Sequence, residues 1–447
     1  MILLISVFAA VLAVVALRDG AGARTPEGFL LNGRRSGTLE TASSIVASCV
    51  GSSATIGLAG LAFTAGMPAV WWLLSGAAGL IVLTTVLVHR IRRRGRLTLA
   101  ELVRERLGFR AAAFITMVIL IAWCAILAAQ LLALGTLLAS AAGIGRTEAL
   151  AMGTAFVVLY TAAGGQAGVM RSDVVQLLVM GAGLLAVLLS ALLTDASSLA
   201  ALHPEVLNES FTLRDWSVFM LLVGGSYVVC PMLFGRMMSA RSTRVARRSG
   251  FIAAAGLAAA AFVIMAAGVE ARAFVPEGTP PDQVLPALAA ALPPPVGTGF
   301  VLAMLAAVLS SADSCLITAA AVAARDVLRS DSVAVVRLAA LGISVPAFLL
   351  ACEGGGVLSL LLMANAVYVP AVVPPVFAAL VTGRPFHKPV ITAVIALSAA
   401  TALAGEALRL EALAFAALGL SIAGTVLALV LGREAESLGP ARADPVA

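Results

Sequence analysis

Charge is scarce in this sequence. Only 12% of its 447 residues are Asp, Glu, Lys or Arg, while 61% are hydrophobic, against about 25% charged and about 45–50% apolar in an ordinary soluble domain. That balance excludes a soluble enzyme. Cysteines are few and scattered: Cys49, Cys124, Cys230, Cys315 and Cys352 each stand alone in an apolar run, without the close spacing of a metal site or a disulfide framework. The three histidines, His89, His203 and His387, fall in loops or at the ends of apolar runs, so the paired groups a membrane-embedded enzyme would need at one depth are missing. Short alternating segments of the outer-membrane barrel type are absent too. The net charge of +6 comes from basic residues between apolar runs, where retention of positive charge on the cytoplasmic side explains them without nucleic acid.

What the sequence has in abundance is continuous apolar runs bounded by charge, the pattern of an all-α polytopic membrane protein. Thirteen spans are expected, near residues 1–17, 38–63, 68–89, 111–143, 148–163, 172–193, 216–235, 250–270, 297–324, 332–351, 357–380, 390–405 and 411–431. No loop is long enough for a second globular unit, so residues 1–447 read as one membrane domain. The first run lacks a basic n-region and a small-residue cleavage site before Arg18, and is read as a span rather than a signal peptide. Of the 29 Lys and Arg, 24 fall on one side of this layout, from Arg18 in the first loop to Arg442 in the tail. The positive-inside rule then puts the N-terminus outside and the C-terminus inside a cytoplasmic (inner) membrane. Trp71, Trp72 and Trp216 fall at span ends and are expected in the interfacial aromatic belt. Thr98 to Arg110, with Leu99, Leu102, Val103 and Leu107 among charges, reads as a short amphipathic helix on the cytoplasmic interface.

Helices interrupted in mid-membrane, recurring at matching places in two halves, point to a transport site. The second span carries Ala47-Ser48-Cys49-Val50-Gly51-Ser52-Ser53 at its centre, and the seventh carries Gly224-Gly225-Ser226 at its centre, followed by Pro231. Each opens a set of five spans, and five being odd, the two sets have opposite topology. Helix packing by small residues is the plainer reading of either segment alone. In the ninth span Ala307, Ser310, Ser311, Ser314 and Thr318 stack on one helical face. Hydroxyls there, beside carbonyls freed by a broken helix, form a plausible ligand set for a small hard cation such as sodium. Asp313 is the carboxylate expected nearest mid-membrane. It is turned away from the hydroxyl face, so both a functional and a structural role stay open for it. Asp173, beside Arg171 and Gln176, reads from composition as a cap or surface pair.

These residues resemble the sodium:solute symporter family of proline, pantothenate and sugar carriers, over nearly the whole chain. Phe29-Leu30-Leu31-Asn32-Gly33-Arg34 looks like that family's F-x-x-G-R segment before its first core helix, and Gly57 to Gly60 with Ala65-Gly66 like that helix's end. Tyr160 to Gly164-Gly165 and Arg171-Ser172-Asp173-Val174-Val175-Gln176 are similar to its Y-x-x-x-G-G and T-D-x-x-Q signature, with Ser172 for Thr. Gly235-Arg236 to Arg247-Arg248 resembles its basic Q-R-x-x-x-A-K loop, with Gly for Gln. Ser310-Ser311-Ala312-Asp313-Ser314 before Arg325-Asp326-Val327 looks like its S-S-A-D-S helix and following R-D-[IV].

The resemblance implies a LeuT-like 5+5 inverted-repeat core: an extra N-terminal helix and loop over 1–37, repeats over 38–193 and 216–380, and two further helices over 390–431. It implies sodium-coupled uptake of a small organic solute, an amino acid, carboxylate or similar, by alternating access across the bilayer. Carried over by position, sodium would meet the carbonyls of Ala47, Val50 and Ala307 and the hydroxyls of Ser310 and Ser311, with Asp173 lining the ion's cytoplasmic exit. Ser48, Cys49, Ser52, Ser53, Gln130, Ser226, Tyr227 and Cys230 form the expected solute pocket, with Asp313 and Ser314 unassigned beside it. Proline-type carriers have Asp where Cys49 stands, and the acidic residue that sugar carriers share after this helix is missing from Ala65 to Trp72. A transport-poor sensor of the same fold, or a proton-coupled carrier, are the alternatives. No nucleic acid and no obligate protein partner are expected.

Overall fold

The computed structural model describes residues 1–18, 25–194, 205–410 and 412–437, with the side chains of 191–194 and 434–437 excepted. Arg24, His203, residue 411 at the start of the thirteenth expected span, and Arg442 lie outside the described residues. In lipid every backbone N–H and C=O must be satisfied within the protein, which leaves helices as the only way for such apolar runs to cross. Glycines and hydroxyl caps set their ends. Phe109–Ala142 is bounded by Gly108 at φ 90 and Gly143 at φ 66, and Ser242 caps Thr243–Glu270 by accepting from the Val245 N–H. Leu99–Leu107 is the expected amphipathic helix, capped by Thr98, with Leu99, Leu102, Val103 and Leu107 buried.

Among the described residues ten helices are long and apolar enough to cross a membrane, and an eleventh span is formed by Thr38–Cys49 and Ser53–Ala65, bent by 63°. The thirteen expected spans are corrected in one place. Ile2–Leu17 has 16 residues, short of the roughly 20 a full crossing needs. It lies with Ala16 against Gly164 and Gly168, whose missing side chains let the Ala16 carbonyl come within 2.9 Å of where each Cβ would stand. The fifth and sixth expected spans follow one another without a loop in Arg146–Thr194, as two helices joined across a kink at Gly165 with φ 58 and ψ −161. Glycine alone adopts that backbone readily, so the turn is made at that one residue and no loop is needed.

The two sets of five each open on a broken helix. The first break follows Cys49, with Val50 at φ −93 and ψ 60. In the second broken helix, Leu213–Ser239, the interruption is at Val229 (φ −129, ψ 73) and Cys230 (φ −106, ψ 119). Gly224-Gly225-Ser226 is therefore not where the chain opens. Pro231 starts the half-helix Pro231–Ser239, and its ring forces the residues just before it out of helical geometry. Gly224 and Gly225 stay helical and serve close packing, since a Cβ on Gly79 would lie 2.0 Å from the Gly224 carbonyl oxygen. Pro294–Val322 runs through the middle of the bundle, 89% of its most apolar window being buried, packed chiefly on Arg146–Thr194 and Phe109–Ala142. Lys388–Leu408 and the final helix Ala412–Ser437 pack on each other and on Val357–Val381 at the periphery.

Candidate functional site: hydroxyls against the first helix break

At the first break the last carbonyls of Thr38–Cys49 lose their helical donors, and the hydroxyl face of Pro294–Val322 meets them. Ser310 Oγ lies 2.8 Å from the Ala47 carbonyl and 2.9 Å from the Ala307 carbonyl. Ser311 Oγ donates to the Ser48 carbonyl at 2.8 Å. Ala47, Val50, Ala307 and Ser310 are fully buried, and Ser311 nearly so. The approach depends on Gly51, where a Cβ would stand 2.2 Å from Ser311 Oγ and 3.0 Å from Gln130 Oε1. Gln130 in turn accepts from the Ser52 N–H at 2.9 Å, satisfying a donor at the start of the half-helix that follows the break. The carbonyls of Ala47, Ser48 and Ala307 and two buried hydroxyls, with no thiolate or imidazole among them, are a donor set for a small hard cation.

One turn back from the break, beside Ser44 and Ser48, lies a charged pair. Asp173 is fully buried and accepts from Ser44 Oγ at 2.5 Å and Ser48 Oγ at 3.4 Å. It is therefore no surface cap. Its partner is Arg236, also fully buried, with Nη2 3.4 Å from Asp173 Oδ2. Sequence reasoning set Arg236 in a basic loop. It belongs to the half-helix Pro231–Ser239, between Leu233 and Met237 on the inward face, and the apolar residues on both sides of it were the signal for burial. Asp313 points the other way, accepting from the Tyr160 hydroxyl, while Ser314 Oγ reaches its Oδ1 at 3.0 Å. Ser314 also faces Ser48, with hydroxyls 3.0 Å apart, so Ser314 joins the polar network and Asp313 meets it only through Ser314.

Beside the break is a cavity of about 80 Å³. Of the expected pocket residues, Ser48, Cys49, Ser53, Gln130, Ser226, Tyr227 and Cys230 line it and Ser52 does not. Ser311 lines it as well, so one wall is common to the cavity and the hydroxyl–carbonyl set. Trp72, Trp123 and Asn365 line it unforeseen. Trp72 was expected in the interfacial belt; it is 4% exposed and edge-on to Phe219 at 5.1 Å. A turn of about 100° per residue sends Trp71 outward, where it pairs with Trp216 at 5.8 Å, and Trp72 inward. Trp123 packs on Tyr368 at 5.1 Å, whose hydroxyl caps the Val229 carbonyl freed at the second break. Among the described residues no charged side chain lines the cavity.

Two sets of five helices, each opened by a broken helix, with a polar site at one break and a cavity beside it, are the architecture of the broken-helix, inverted-repeat class of membrane proteins. The sodium:solute symporter family model matches residues 29–388, and the chain belongs to that family. It is 26% identical over 322 residues to the sodium/pantothenate symporter of Haemophilus influenzae, covering 69% of this chain and 65% of that protein. It is 27% identical over 336 residues to the high-affinity choline transporter 1 of Caenorhabditis elegans, covering 70% and 58%. The chain thus spans somewhat under two thirds of the length of these relatives. A solved structure of a Na+-coupled sialic acid symporter superposes with a TM-score of 0.77 at 15% identity, covering 95% of this chain and 96% of the other. A manganese transporter of Eremococcus coleocola gives 0.56 at 14% identity, covering 89% and 94%. These likenesses carry the fold, that of LeuT-like transporters. The matched relatives are transporters and not enzymes, and the chain is a multi-pass membrane protein.

Proposed function

We propose that this protein is a sodium-coupled symporter of a small organic solute, working by alternating access in the cytoplasmic membrane with its C-terminus inside. The observation that carries the reading is the seating of Ser310 and Ser311 against the Ala47 and Ser48 carbonyls at the first break. Sodium takes the carbonyls of Ala47, Val50 and Ala307 and the hydroxyls of Ser310 and Ser311, the hydroxyl protons turning away as their lone pairs turn to the ion. The solute occupies the cavity lined by Ser48, Cys49, Ser53, Gln130, Ser226, Tyr227 and Cys230. Ser48 and Ser311 serve both, so filling one place firms the wall of the other. Inward movement of one sodium ion yields roughly 2.3 kcal/mol per 100 mV of membrane potential for solute accumulation. The ion leaves past Asp173. With no ionised side chain among the described residues of its wall, the cavity suits a solute without net charge, or a carboxylate held by the N–H groups that start the half-helix after the first break.

The test is uptake of a panel of radiolabelled amino acids, monocarboxylates and small amines into proteoliposomes under an inward sodium gradient or an equal potassium gradient. Accumulation under sodium alone, absent in Ser311→Ala, is the expected result. Equal accumulation under potassium, or accumulation that follows a proton gradient, overturns the sodium assignment.

A further inference from the structure

Arg236 has no part in the reading above, yet it is buried to 0% exposure within the same polar network. Its Nε lies 3.0 Å from Ser44 Oγ, its Nη2 lies 2.6 Å from Ser48 Oγ, and Nη2 also donates to Ser314 Oγ. Ser48 offers its carbonyl to Ser311, and Ser314 Oγ donates to the Ser310 carbonyl at 2.6 Å. The guanidinium is thus one residue removed, on both helices, from the groups assigned to sodium. Its contact with Asp173 is a single one at 3.4 Å rather than a paired fork, and Asp173 Oδ1, also buried, has no hydrogen-bond partner among the described residues. A buried carboxylate with one oxygen uncommitted, bonded to two serine hydroxyls with Ser314 one hydroxyl further on, is itself a set of hard-cation ligands.

We infer that Arg236 is a tethered cation that keeps Asp173 from capturing the transported ion, so that sodium is bound at the helix break and released past a carboxylate already neutralised. The inference rests on the symport reading. Without the guanidinium, Asp173, Ser44, Ser48 and Ser314 form an uncompensated negative site a few ångströms along the exit, where Coulomb attraction is only partly screened. An ion leaving the break would then be held there. Arg236 acts through Asp173 and is a positioning residue, setting how fast the ion leaves rather than binding it.

The experiment is equilibrium binding and release of radioactive sodium on the detergent-purified full chain, in wild type, Arg236→Gln, Arg236→Lys and the charge-balanced Asp173→Asn/Arg236→Gln. Arg236→Gln should bind sodium about tenfold more tightly, take up a second ion, and release it about tenfold more slowly. Arg236→Lys, which keeps the charge, should remain near wild type, and so should the double variant, which has neither charge. A merely structural arginine would leave sodium affinity unchanged in every variant that folds, and that result overturns the inference. Should Arg236→Gln fail to fold, the double variant decides: sodium binding weakened more than about tenfold there would place the pair in the ion site itself and overturn it equally. Wild type that binds no sodium above a choline background would instead overturn the symport reading.

Discussion

Replacing Gly51 by alanine perturbs the ion site by one methyl group and nothing else. Gly51 has no positive φ, so alanine meets no backbone strain, and the effect is purely one of space. The new Cβ would stand 2.2 Å from Ser311 Oγ, 2.6 Å from Ser311 Cβ and 3.0 Å from Gln130 Oε1, all within ordinary van der Waals separation. The two helices must part or Ser311 must swing away, in either case breaking its bond to the Ser48 carbonyl. Overpacking of this kind costs about 1–3 kcal/mol, and the lost buried hydrogen bond adds about 1 kcal/mol. Thermal unfolding in detergent should therefore show Gly51→Ala destabilised by about 2–4 kcal/mol. Its stabilisation by sodium over choline should largely vanish, because one hydroxyl ligand has moved. Gly51→Ala/Ser311→Gly removes both clashing serine atoms and should recover much of the stability without recovering the sodium response. Gly181→Ala, where nothing lies within 4 Å of the added Cβ, is the neutral control. Wild-type stability and a wild-type sodium response in Gly51→Ala would refute the close approach and the site built on it.

Two further substitutions separate the fold from the site. Tyr160→Phe takes the hydroxyl from Asp313 Oδ2 and leaves a buried carboxyl oxygen without that donor, which should cost about 1–3 kcal/mol in thermal or denaturant unfolding. Its sodium response should be unchanged, and loss of that response would put Asp313 inside the ion site. Gly165→Ala forces a side chain into a backbone region close to glycine-only, with its Cβ 2.7 Å from Phe29 Cδ2. It should destabilise the protein by about 2–3 kcal/mol, and undiminished stability would contradict the kink in Arg146–Thr194.

The spans were legible because lipid demands long apolar helices, and the first break because Val50-Gly51-Ser52 sits among small hydroxylated residues in mid-span. The serine face of Pro294–Val322 followed from helical spacing alone. Other features needed the third dimension. The loopless junction within Arg146–Thr194 turns on one glycine at positive φ, and a Gly-Gly pair reads the same in sequence whether it ends a helix or bends it. At the second break the Gly224-Gly225 pair drew attention, while Pro231, acting on the residues before it, set the place where the chain opens. Arg236 looked like one more basic residue near a span end, and its partner Asp173 is 63 positions away in sequence. The cavity walls from Trp123 and Asn365 arise where separate helices converge, and local pattern carries no record of that.

The central claim is that sodium binds this fold specifically, at the hydroxyls beside the first break. It is tested most directly by the thermal stability of the purified chain in sodium chloride against equal choline or potassium chloride, for wild type and Ser311→Ala. A ion bound only by the folded state raises stability with its concentration, by about 2.7 kcal/mol at a hundred times its dissociation constant. The account predicts a sodium-specific, saturable rise in wild type that is lost in Ser311→Ala. A well-folded wild type equally stable in all three salts would contradict it.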